Sequence, residues 1–184
     1  MKNKYGAFGI SQRKRSEHDF YATDPKAAEW LMKLEDLDLH IWECACGEGH
    51  LSKVFEDAGY IVKSTDLIDR GYGIGGVDFL KQKDTFHGDI VTNPPYKYAQ
   101  DFIEHALSLV EEGQKVCMFL KIQFLEGKKR RFLYETNQPK RIWVSSSRIQ
   151  CKDTEDIKNG SMIAYAWYVW EKGYHGDTVV KWFN

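Results

Sequence analysis

The sequence predicts an α/β protein: a doubly wound, mostly parallel seven-stranded sheet with an antiparallel C-terminal hairpin. Two observations predict it. From Asp24 to Ile122, helix-like and strand-like segments alternate at the spacing of strand–helix–strand units. Beyond Arg141 the pattern breaks into β-branched and aromatic runs with no helical segment between them.

The elements follow in order. DPKAAEWLMKL (24–34) has apolar residues at helical spacing, with Asp24 placed to cap and Pro25 at the first helical position. HIWEC (40–44) reads as a strand, CGEG as a glycine turn, and HLSKVFEDAG (50–59) as a helix closed by Gly59. YIVKSTD (60–66) is a second strand. GDIVTN (88–93) is another, followed by the helix YAQDFIEHALSLVEEG (98–113), whose apolar Phe102, Ile103, Ala106, Leu107 and Val110 share one side. KVCMFLKI (115–122) is a buried strand. RIWVSSSRIQC, IAYAWYVWEKG and TVVKWF then finish the sheet, the last as a small extra strand. The aromatics of AYAWYVW are expected in the core.

Composition limits the rest. A chain of 184 residues, 42% hydrophobic, suits one compact domain. We expect a basic leader over 1–18 and a single domain over 19–184, with no separate target-recognition domain. No apolar run approaches the ~20 residues that span a bilayer. The N-terminus MKNKYGAFGISQRKR lacks the apolar centre of a secretory signal. Cys44, Cys46, Cys117 and Cys151 form no CxxC pair and no ligand-spaced set with histidine. They read as free thiols in a reducing cytoplasm, with no metal centre.

Net charge is −1, but its distribution is uneven. Lys2, Lys4, Arg13, Lys14 and Arg15 lie in a stretch without acids. A second cluster, Lys128, Lys129, Arg130 and Arg131, is followed by Lys140 and Arg141. Such segments are either solvated surface or phosphate contacts flanking a cleft, and on charge alone both readings stand.

The turn after the first strand is a candidate ligand site. Gly47 and Gly49, one residue apart between strand and helix, let backbone approach a ligand where a Cβ would collide. Glu43 ends the strand and could accept from a ligand amino group. Asp66 ends the next strand, where an acid can take two ribose hydroxyls. GYGIGG (71–76) is similar to a dinucleotide fingerprint, yet it precedes VDFL instead of opening a helix and is expected to be loop. VDFL itself is a short strand or turn. Its Asp78 and Phe79 could bond an adenine amino group and pack on its ring, or simply end a strand.

At these residues the chain resembles class I S-adenosylmethionine-dependent methyltransferases, specifically those that modify amino groups. ECACGEG, with Ala45 between the acid and the glycines, matches the family's cofactor turn. STDL, with Asp66 and Leu67, matches its ribose acid, and VDFL its adenine contact. The resemblance implies a Rossmann-like methyltransferase fold and S-adenosyl-L-methionine as cofactor. DFYATDP resembles the N-terminal motif that closes over the methionine end, which implies that role for Tyr21 and Thr23. NPPY, Asn93 to Tyr96, matches the family's catalytic motif.

The chemistry explains those residue types. An exocyclic amino nitrogen is a poor nucleophile because its lone pair is delocalised into the ring. Two acceptors, the Asn93 side-chain oxygen and the Pro94 carbonyl, would localise that pair and stabilise charge developing on nitrogen. Pro94 and Pro95 lock φ and donate nothing, which stiffens the turn. Tyr96 offers a face for stacking an extruded base. No Pro-Cys pair is present, so ring-carbon methylation lacks its nucleophile, and neither HExxH nor GxSxG occurs.

NPPY serves several amino groups within the resemblance. Glutamine enzymes usually bring an N-terminal helical domain, and only 39 residues precede the first strand here. Sequence-specific DNA enzymes usually add a recognition domain, and only 88 residues follow Tyr96. The favoured expectation is therefore a small phage-type DNA adenine-N6 enzyme reading little or very short sequence, with DNA as partner. Lys128, Lys129, Arg130 and Arg131 are its candidate phosphate contacts. RNA adenine, protein glutamine, and a silent cofactor- or DNA-binding subunit are the alternatives.

Overall fold

A computed structural model of the protein describes residues 22–147, 149, 151–152 and 163–184. In chain order its elements are β1 (Ala22–Thr23), α1 (Lys26–Leu34), β2 (His40–Glu43), α2 (Ser52–Asp57), β3 (Ile61–Ser64), β4 (Asp89–Thr92) and α3 (Ala99–Leu109). Then come β5 (Lys115–Lys121), α4 (Arg131–Thr136), β6 (Arg141–Ser145), β7 (Cys151–Lys152), β8 (Tyr165–Glu171) and β9 (Val179–Phe183).

Seven strands form one sheet in the order β3-β2-β4-β5-β8-β6-β9. Only β8 runs against the others: it pairs antiparallel with β5 and with β6, and the remaining neighbours are parallel. The expected C-terminal hairpin is thus present, with β8 inserted between β5 and β6. The seventh strand is β9 beside β6. VDFL supplies no strand; Phe79–Lys81 forms a 3₁₀ turn that Asp78 caps by accepting from the Leu80 N–H at 3.2 Å.

Side-chain alternation along the strands divides the interior in two. Trp42, Ile90, Val116, Met118, Leu120, Ala166, Tyr168 and Trp170 join the cluster that α3 and α4 cover with Phe102, Ile103, Ala106 and Leu133. Ile41, Val91, Cys117, Phe119, Tyr165, Trp167 and Val169 face the other way, toward Ala27, Ala28, Leu31 and Phe55 of α1 and α2. Helices therefore cover both faces, and the AYAWYVW aromatics are core.

Local chemistry sets the boundaries. Asp24 Oδ1 accepts from the Lys26 N–H at 3.0 Å at the start of α1, and Pro25 is already helical. α3 stops at Leu109 rather than continuing to Gly113, because Val110 turns extended and bridges Phe86. α4 was not expected from the sequence. Its KKRRFLYET segment buries only Leu133, so no apolar period announces it.

The end of α1 is tied to β6 by a buried carboxylate. Glu35, 4% exposed, holds the Arg141 guanidinium at 2.5 and 2.6 Å and accepts from Trp143 Nε1 at 2.7 Å. Glu35→Ala would strand both donors, and its expected cost is about 3 kcal/mol, read as a Tm lowered by about 6–12 °C. Glu35→Gln, which keeps an acceptor for the indole, is expected to lose less.

Candidate active site

The carboxyl ends of β2, β3 and β4 meet at a cavity of about 580 Å³, where ligands bind in open α/β sheets. Glu43 comes to its wall as the last residue of β2, and Ala45 from the turn that follows. Asp66 and Leu67 come from the end of β3, and Asp78 and Phe79 from the 3₁₀ turn. Thr23 arrives on β1, and Asn93, Pro94 and Pro95 from the end of β4. Residues separated by 70 positions are thereby brought together, and the contact is direct: Asn93 Nδ2 donates to Thr23 Oγ1 at 2.8 Å.

The turn after β2 is built on left-handed backbone. Gly47 and Gly49 take φ of 57° and 79°, values that favour glycine. The Gly47 N–H donates to Asp66 Oδ2 and the Ile68 N–H to Asp66 Oδ1, both at 2.8 Å. Asp66 thus braces two loops at once, and each oxygen keeps further acceptor capacity. The glycine-rich segment is loop, as expected, and it shapes the site. Tyr72 lies so close that a Cβ on Gly49 would stand 2.4 Å from its ring. Gly49→Ala combines that overlap with a disfavoured φ and is expected to cost about 2–4 kcal/mol in thermal denaturation. Adding Tyr72→Ala should recover only the overlap.

Glu43 is 2% exposed. Burial pushes its carboxyl up to about 8, against a smaller downward pull from the Ser52 hydroxyl, which donates to Oε2. Ser64 Oγ donates to Ser52 Oγ at 2.8 Å, so a short hydroxyl chain ends on the acid. Burial also pushes the Cys46 thiol up to about 12 and the Cys44 thiol well above its ordinary value. Neither is a thiolate nucleophile at neutral pH. Cys44, Cys46 and Cys117 are free and buried. Among the described residues no group of three or more His, Cys, Asp or Glu could hold a metal ion. No described helix is long and apolar enough to cross a membrane.

Several sequence-predicted residues stand elsewhere. Tyr21 lies outside the described residues. Tyr96 is half-buried and off the cavity wall: its ring lies 6.3 Å from that of Tyr165, with Lys121 Nζ 4.4 Å from its centroid. Tyr98, 43% exposed, lines the cavity in its place. Phe79 contributes one surface of a core ring, packed on Trp42 at 5.3 Å and Phe102 at 4.9 Å. The Asp78 carboxylate also meets Lys81 Nζ at 3.1 Å. Lys128 to Arg131 do not line the cavity. Arg130 donates to the Phe124 and Gln123 carbonyls at 2.9 and 3.4 Å and to that of Glu126, and Arg131 pairs with Glu135 at 2.5 Å. His50, Arg70 and Lys97 also line the cavity without a sequence signal beyond their place in the loops.

No protein-family model matches the chain, and no curated protein matches it. Solved structures do. A Listeria monocytogenes protein provisionally assigned to the class I S-adenosylmethionine-dependent methyltransferases superposes with TM-score 0.65 at 12% identity, over 95% of this chain and 68% of its own. A Pyrococcus horikoshii protein provisionally described as an RNA methyltransferase gives 0.62 at 16%, over 83% and 87%. The type IIG restriction endonuclease BpuSI gives 0.62 at 16%, over 86% of this chain and 26% of its own. The chain has the Rossmann-like fold of class I S-adenosylmethionine-dependent methyltransferases.

Proposed function

We propose that the protein is an S-adenosylmethionine-dependent methyltransferase acting on an exocyclic amino group, with adenine N6 of DNA as first reading. One observation carries it: Asn93, held by Thr23, shares a cavity with Glu43 and Asp66. A catalytic amide and a nucleoside-type acid pair thus face the same space.

The residues fit the cofactor. Asp66 offers acceptor capacity for a ribose, and buried Glu43 suits a ligand ammonium. Asp78 and Phe79 supply a polar group and an apolar surface for an adenine ring. S-Adenosylmethionine, when bound, supplies a methyl group on a positively charged sulfur.

The chain's own residues do the remainder. Donation from Nδ2 to Thr23 sets the rotation of the Asn93 amide and turns Oδ1 away from Thr23. Oδ1 and the Pro94 carbonyl then accept the two N–H bonds of the substrate amino group and localise its lone pair. Both acceptors belong to a turn stiffened by two prolines, which limits reorganisation as charge develops. Holding the amino nitrogen in line for displacement is a proximity effect and needs no covalent intermediate. Tyr98, exposed on the cavity wall, is placed to pack against the incoming base.

Likeness to a restriction endonuclease suits a DNA substrate. Likeness to a protein described as an RNA methyltransferase supports RNA adenine as the second reading. Incubation with methyl-labelled cofactor and unmethylated DNA, RNA or protein separates them. Label in DNA is the expected result; label in RNA alone selects the second reading, and label in protein alone rejects both.

A further inference from the structure

The chain between β5 and α4 forms a surface that the cavity does not use. Residues 121–131 carry five basic side chains and one acid, Glu126. Lys128 and Lys129 are exposed, Leu125 is 44% exposed, and Phe132 is 69% exposed on the first turn of α4. An open aromatic face thus stands in the same short segment as two exposed ammonium groups.

The segment is built rather than loose. Gly127 takes φ of 131°, and the Arg130 guanidinium reaches back to the carbonyls of Phe124, Gln123 and Glu126. The same guanidinium lies 4.6 Å from the centre of the Phe124 ring, which is itself buried. Arg130 thus holds the loop in one shape and leaves Lys128, Lys129 and Phe132 outward.

Topology sets where this loop stands. β5 is parallel to β4, so both end at the edge of the sheet where the cavity opens. Lys121 closes β5 with its ammonium over the Tyr96 ring, and the loop continues from there. The loop therefore leaves β5 at the same edge of the sheet as the Asn93–Tyr96 turn.

We infer that the Leu125–Phe132 loop receives the unpaired strand of a DNA substrate beside the target base. Lys128 and Lys129 hold backbone phosphates and Phe132 stacks on an unstacked neighbouring base. Charge complementarity selects a polyanion. The exposed ring selects a strand whose base faces are open, which an intact duplex lacks. The inference rests on the nucleic-acid reading above and adds strandedness and contact residues to it.

The test is fluorescence anisotropy with the full chain and a labelled single-stranded DNA, alongside the matching duplex and RNA, with S-adenosylhomocysteine affinity measured for each variant. Phe132→Ala is expected to weaken single-strand binding roughly tenfold. Lys128→Gln with Lys129→Gln is expected to flatten the dependence of log K on log salt by about 1.4. Cofactor-product affinity and Tm should stay unchanged, since all three side chains are exposed. Wild-type affinity for single-stranded DNA with no loss in either variant overturns the inference. So does equal affinity for the duplex without dependence on Phe132, or dependence on Phe132 with RNA alone. A wild type that binds S-adenosylhomocysteine and no polynucleotide overturns the substrate class itself.

Discussion

Asn93→Ala is expected to lower kcat about 10²–10³-fold while uptake of S-adenosylmethionine, measured by calorimetry, is unchanged. In the proposed reaction the amide is one of two acceptors for the substrate amino group, and removing it would return part of the lone pair to the ring. In the same proposal Thr23 acts on this step through Asn93. Its hydroxyl accepts from Nδ2 at 2.8 Å, and it is 4% exposed on β1. Thr23→Val keeps the β-branched shape and deletes the acceptor, so the amide loses its rotational restraint. A fall in kcat of about tenfold is expected, and Thr23→Ser should restore it. A purely structural role for Thr23 would lower Tm in both variants and leave kcat in the folded fraction untouched.

Raising pH from 6 to about 8 should tighten binding of the cationic cofactor, approaching tenfold per unit, and then level off. The free protein holds Glu43 protonated at neutral pH because burial pushes its carboxyl up to about 8. A ligand ammonium beside it favours the charged form, so binding releases a proton while pH lies below that value. Titration in two buffers of different ionisation enthalpy counts the proton. Stability of the free protein carries the opposite slope. The folded state binds a proton that the unfolded chain gives up near the ordinary carboxyl value of 4.5, so stability is full below that pH. It is lost as pH rises toward 8, by about 3–5 kcal/mol. Glu43→Gln removes both slopes: it raises Tm at pH 8 and weakens cofactor binding there. Retention of either slope in that variant would place the titrating group elsewhere.

What the sequence disclosed follows from what local patterns can encode. The unbroken buried runs of β4, β5 and β8, the Asp24–Pro25 start of α1 and the glycine turn after β2 are properties of neighbouring residues. They were legible. The Asn93–Thr23 bond joins two chain segments 70 positions apart, and no spacing rule announces it. Tyr98 lines the cavity where Tyr96 is expected, because the 3₁₀ turn Tyr96–Tyr98 sends the Tyr96 ring toward Tyr165 and Lys121 and leaves that of Tyr98 at the cavity. Arg130 read as a phosphate ligand because its charge was visible and its three carbonyl acceptors were not. The glycine-rich loop illustrates the same limit: its composition marked a loop, but only packing shows Tyr72 against Gly49.

In the proposed reaction the Asn93–Pro94 turn presents two acceptors to an exocyclic NH₂ beside the cavity. Nucleoside mass spectrometry of DNA incubated with the protein and S-adenosylmethionine decides whether it does. Methyl on adenine N6, absent with Asn93→Ala, is the predicted result. Methyl on a ring carbon or ring nitrogen, or N6-methyladenine undiminished in Asn93→Ala, would contradict it.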